Sequence, residues 1–143
     1  MTNEQYLILI YKNIQTAIQS IEDMFPKFRS SKLKQVMKQQ EQGYLDFKNR
    51  CQDLASNKEV QLKDNNFVMK VILTSSISLN TIFNKSSSHI AELFLLGTVR
   101  GTIKLYKHAK NTKDIDDDIS SLGKDLLNFE EKCYNDIREY LKA

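Results

Sequence analysis

Glycine and proline are scarce in this chain, with four Gly and one Pro among 143 residues. A fold built from many tight turns needs both residues for turn geometry, so their scarcity favours long helices over a many-turned β fold. Cysteine is equally sparse. Cys51 and Cys133 are the only two, and each falls on an apolar stripe. They read as small buried hydrophobes in a reducing cytoplasm rather than as a disulfide framework. A membrane span is not expected: the most apolar segment, FVMKVILTSSISLNTIF, carries Lys70 and several hydroxyls. The opening MTNEQYLILIYKN lacks a basic leader region, and its apolar run is too short for a signal peptide. Signatures of nucleophilic catalysis are missing too. There is no Gly-x-Ser-x-Gly, no phosphate-binding loop and no Cys–His signature. A net charge of +3 is too small to imply a polyanionic partner by itself.

What is present is helical periodicity over a length that suits one domain, residues 1–143, around one core. Leu7, Ile10, Ile14, Ile18, Ile21 and Phe25 step by three and four and define one helix face. Pro26 disfavours helical geometry at Phe25 and ends that helix. Ser30 or Ser31 can cap the next one, whose stripe is Leu33, Val36, Gln40, Tyr44, Phe47, Cys51 and Leu54. A tight turn near Lys27 would pair the two stripes level by level, Ile10 with Tyr44 and Leu7 with Phe47, as an αα-hairpin requires. A second hairpin follows. One arm runs from about Ser88 to Lys110; the other starts near Asp114 and shows Leu122, Leu126, Phe129, Cys133, Ile137 and Leu141 on one face. Between the hairpins, residues 66–85 read as a further short helix, since a lone strand would have no sheet to join. That segment is apolar around much of its circumference (Phe67, Val68, Met69, Val71, Ile72, Leu73), so a homodimer covering part of it is expected.

Two antiparallel hairpins joined by a long crossover describe a four-helix bundle. Through YKNIQTAIQSIEDMFPK, NKSSSHIAELFLLGTVRGTI and LLNFEEKCYNDIREYL the chain resembles small bacterial ferritin-like proteins of unknown function. The resemblance implies an all-α, ferritin-like four-helix bundle with a short additional helix in the crossover. The iron-binding branch of that fold uses a Glu from each of two helices and Glu-x-x-His from each of the others. This sequence contains no Glu-x-x-His. Near the helix centres stand Gln15, Gln40 and Tyr44, Gly97 and Arg100, and Glu130. One carboxylate with an arginine does not suit two divalent cations. The scaffold is therefore expected without a di-iron centre, and no catalytic, metal or cofactor residue is assigned.

Four other groupings carry chemistry. His89 and Glu92 sit three apart in SSSHIAEL; with Glu22 and Asp136 they form the best metal candidate, away from the bundle centre. The plainer reading is a helix start whose Glu complements the dipole. DIDDDISSLGKD imitates a calcium loop through Asp114, Asp116, Asp118 and Asp125, but Ile119 stands where the loop needs Gly. Two basic clusters, Lys27, Arg29, Lys32, Lys34 and Lys38, and Arg100, Lys104, Lys107, Lys110 and Lys113, read as solvated faces rather than a nucleic-acid surface. Arg100 and Asp125 are expected level with each other, as an ion pair. Gly97 and Gly101, four apart in LGTVRGTI, suggest a close neighbour on one face, with Phe129 the candidate over Gly97. The functional expectation is a non-enzymatic binding or scaffolding bundle. The alternative is a metal-binding or oxidoreductase bundle using the Glu22, His89, Glu92 and Asp136 cluster.

Overall fold

The computed structural model describes residues 1–64, 86–111 and 113–142, and every regular element among them is helical. Helix α1 spans Asn3–Met24. Thr2 begins it with a reciprocal cap: its hydroxyl accepts from Gln5 N (3.1 Å) while Gln5 Oε1 accepts from Thr2 N (3.0 Å). Pro26 sits in a short 3-10 turn, Phe25–Lys27, that closes the helix, although Phe25 itself keeps helical geometry (φ −52°, ψ −45°), contrary to expectation; the break comes after it, where the chain tightens into the 3-10 turn. Helix α2 spans Ser31–Asn57, and Ser30 caps it by accepting from Leu33 N at 3.2 Å. Helix α3 spans Ser87–Ala109 and is capped in the same way by Ser86, which accepts from His89 N at 3.1 Å. Helix α4 spans Asp117–Arg138, three residues later than Asp114, because the chain from Asp114 to Asp116 forms the preceding turn.

The apolar stripes meet in one core. Leu7, Ile10, Ile14, Ile21 and Met24 from α1 are almost fully buried with Leu33 and Met37 from α2, Ile90 and Leu105 from α3, and Ile119, Leu122 and Leu126 from α4. Each such side chain contributes about 1.5–3 kcal/mol through burial. Specific contacts give the directions. Asn3 accepts from Asp116 N, and Tyr6 lies against Gly123, so α1 and α4 run parallel. Arg50 meets Asp125 and Gln40 meets Cys133, so α2 and α4 run antiparallel. Thr102 lies beside Glu130 and Lys142 N donates to Ser88, so α3 opposes α4. Helices α1 and α2 form one antiparallel hairpin, and α3 and α4 the other. Lys58 stands at the end that holds Asp116, and Ser88 at the opposite end with Lys142. Helix α2 therefore ends, and α3 begins, at opposite ends of the bundle.

The first hairpin is offset from the expected levels. Cys51 Sγ lies 3.8 Å from Leu7 O, about one helical turn beyond the predicted Leu7–Phe47 level. The link supplies the reason: it includes a 3-10 turn and Phe28–Ser30 before α2 begins. Phe47 packs instead with Tyr44 around the ring of Phe129 on α4, with ring centroids 5.3 and 4.9 Å away. Helix α2 ends with Glu59 in the left-handed region (φ 56°). There Val60 N donates to Ala55 O and Glu59 N to Ser56 O, the Schellman pairing that satisfies the last carbonyls. No helix among the described residues is long and apolar enough to cross a membrane. The crossover helix expected over residues 66–85, and the homodimer expected through its apolar face, lie outside the described residues.

Candidate functional site: a buried polar centre

The centre of the bundle holds one carboxylate. Glu130 is 1% exposed, although carboxylates are rarely buried without partners. It is flanked by both hairpins. Asn13 of α1 donates from Nδ2 to Glu130 Oε1 at 2.5 Å. Thr102 of α3 places its hydroxyl 3.3 Å from Glu130 Oε2. That hydroxyl has a shorter contact with Thr98 O, at 2.7 Å. A hydroxyl carries one proton and two lone pairs. With its proton on Thr98 O, Thr102 Oγ1 is left as an acceptor facing Glu130 Oε2. The arrangement thus suits a neutral carboxylic acid: Oε1 accepts from Asn13, and a proton on Oε2 donates to Thr102.

Electrostatics point the same way. Burial pushes the Glu130 carboxyl up to about 7, against an opposing pull from the hydrogen bond that Asn13 donates. Tyr44 is raised well above the usual phenol range, first by burial and then by the nearby charge on Glu130. Cys133 is pushed up to about 12 by burial, with Glu130 and Asp136 adding to the shift. Gln40, the other buried polar residue among those described, donates to Cys133 O at 3.2 Å. The centre is a closed set of weak acids and amides. It can take up and release one proton; it offers no exposed nucleophile.

Gly101 makes this geometry possible. A Cβ there would collide with Asn13 Oδ1, so the bare backbone of α3 lets the amide lie between α3 and Glu130. Gly97 differs from the expectation: nothing lies within 4 Å of where its Cβ would be. Phe129 instead covers Gly43 of α2, because α4 turns that ring towards α2. Arg100 is exposed, and Asp125 pairs with Arg50 at 2.7 Å rather than with Arg100. Gln15 is also absent from the centre; its Nε2 donates to Asp64 at 2.6 Å on the chain that leaves α2. Of the residues expected near the helix centres, Gln40, Tyr44 and Glu130 come together. Asn13 and Thr102 were not anticipated, since each stands beside an apolar stripe rather than on it. The Gly101 backbone was the available signal for a close neighbour.

A di-metal centre does not fit this donor set. Around the single carboxylate stand an amide, two hydroxyl-bearing residues and a high-pKa thiol, where two divalent cations want several anionic oxygens or imidazoles. The off-centre cluster does not assemble either. His89 Nδ1 and Glu92 Oε2 are 4.0 Å apart across one turn. Among the described residues no three His, Cys, Asp or Glu side chains gather to hold a metal ion, so Glu22 and Asp136 do not complete the set. Three acids of DIDDDISSLGKD, Asp116, Asp118 and Asp125, are paired with the protein's own cations. Lys58 Nζ lies 2.8 Å from Asp116 Oδ2 and 3.1 Å from Asp118 Oδ2. Those hydrogen bonds raise the Lys58 ammonium, and the bonds from Lys58 and Asn3 lower Asp116. Comparison with protein-family models, curated proteins and solved structures finds no match to this chain.

Proposed function

We propose that this chain is a non-enzymatic helical bundle of ferritin-like layout that acts by binding or scaffolding, without a di-iron centre. The observation that carries the reading is the sealed state of Glu130. At 1% exposure, with its two oxygens facing Asn13 and Thr102, it has neither substrate access nor companion ligands. The layout supports the scaffold half of the reading: two antiparallel hairpins joined end to end are the frame in which the ferritin-like fold builds central sites. Two buried, unpaired thiols suit a cytoplasmic setting.

Elemental analysis of protein purified without chelator tests the proposal. The expected result is no stoichiometric iron, zinc or manganese. One or two equivalents, lost in a His89→Ala/Glu92→Ala double variant, would replace this reading with a metal-binding or oxidoreductase bundle. Metal retained in that variant but lost in Glu130→Gln would instead place it at the centre and refute the sealed-carboxylate argument.

A further inference from the structure

Helix α3 has a second apolar stripe that the described helices leave exposed. Ala91, Leu95 and Leu105 are buried on its inner side. Leu96, Val99, Ile103 and Tyr106 face outward, at 50, 40, 48 and 53% exposure. Their steps of three, four and three form a narrow seam of the kind that pairs helices in coiled coils. Large apolar side chains left contiguous on a surface mark an interaction site. Arg100 and Lys107, seven apart, are exposed along one edge of the seam, and Glu92 is the only acidic residue on α3.

We infer that this seam docks an acidic amphipathic helix of a partner protein. Such a helix would lay its aliphatic stripe on Leu96, Val99, Ile103 and Tyr106 and set its flanking carboxylates against Arg100 and Lys107. Charge disfavours a second copy of this chain. An antiparallel self-pairing that stacks Leu96 on Tyr106 and Val99 on Ile103 centres at Gly101 and brings the two Arg100 side chains within two residues of each other, while the one acid of the helix, Glu92, falls at the far ends opposite Lys110. Like charges opposed in an interface cost several kcal/mol. Width disfavours a membrane: lipid takes a broad apolar face, whereas this seam is one side chain wide. The inference rests on the binding reading above and names its partner. Elemental analysis judges the polar centre and the titration below judges the seam, so either can fail alone.

The test uses a fluorescent synthetic peptide of about three heptads, with Leu at a and d and Glu at e and g, and a twin with Lys at e and g. Fluorescence anisotropy against the full chain should show about tenfold tighter binding of the acidic peptide, a margin that shrinks in high salt. Ile103→Glu should abolish binding, and Arg100→Glu/Lys107→Glu should reverse the preference. Equal binding of both peptides, or acidic-peptide binding untouched by Ile103→Glu, would overturn the inference. So would a wild-type dimer in sedimentation that Ile103→Glu dissolves, which would name a second copy as the occupant. Binding to phosphatidylserine vesicles with none to either peptide would name a lipid surface instead. Urea unfolding guards the variants: loss of stability in monomeric Ile103→Glu would mean that the seam is covered from within the chain.

Discussion

Replacing Glu130 with Gln should change how stability depends on pH more than it changes stability itself. In the folded chain the carboxyl titrates at about 7, against an ordinary value of 4.5. Between those two values the folded protein holds a proton that the unfolded chain has released. Stability therefore falls as pH rises through that window and levels off above it. The gap corresponds to about 3 kcal/mol at 1.36 kcal/mol per unit, a large share of a typical domain's 5–15 kcal/mol. Glutamine keeps the shape of the neutral acid. Its amide oxygen can accept from Asn13 Nδ2, and its NH2 can donate to Thr102 Oγ1, but it cannot ionise. One amide hydrogen gains no evident acceptor, at a cost of about 1 kcal/mol. Near pH 5, Glu130→Gln should thus lie within about 1 kcal/mol of wild type, on the less stable side. Near pH 8.5 it should be more stable by about 1–3 kcal/mol. Equilibrium urea unfolding across this range, followed by circular dichroism, gives the difference curve, in which every other titrating group largely cancels. Parallel curves for the two proteins would refute the argument. So would a carboxyl NMR titration placing Glu130 near its ordinary value.

The two helical glycines of α3 should respond in opposite directions. Gly97→Ala meets open space and should gain up to about 1 kcal/mol, whereas Gly101→Ala drives a methyl into Asn13 and should lose about 1–3 kcal/mol, both read from urea midpoints. Gain of stability at both sites would mean that α3 does not approach Asn13. Neither thiol should react with Ellman's reagent in the native protein at neutral pH, because burial pushes Cys51 and Cys133 up to about 12; both should react in denaturant. Rapid native labelling of either one would contradict its buried position. Glu59→Gly should stabilise the chain by about 1 kcal/mol, since the left-handed backbone there suits glycine, and unchanged or lower stability would count against that cap geometry.

Much of the helix layout was readable without coordinates, because its causes are local. Ile10, Ile14, Ile18 and Ile21 repeat at the helical period whatever they pack against. Ser30 and Ser86 satisfy backbone N–H groups within a turn of themselves, and Pro26 marks the end of α1. Two antiparallel hairpins follow from such stripes and the short links within each pair. The central place of Glu130 was legible as well, from its position midway along the last helix; its burial was not.

Its surroundings were not. Asn13, Thr102 and Glu130 belong to three different helices and meet only after register and rotation are set. One residue around a helix is about 100°, so a small change in a link redirects a side chain from one neighbour to another. That is why Asp125 found Arg50 instead of Arg100, and why Phe129 closed over Gly43 instead of Gly97. Periodicity and capping, which act within a few residues, determined the helices of this protein and the faces they bury. The partners across helices were decided by interhelical register, a property of the packed core as a whole.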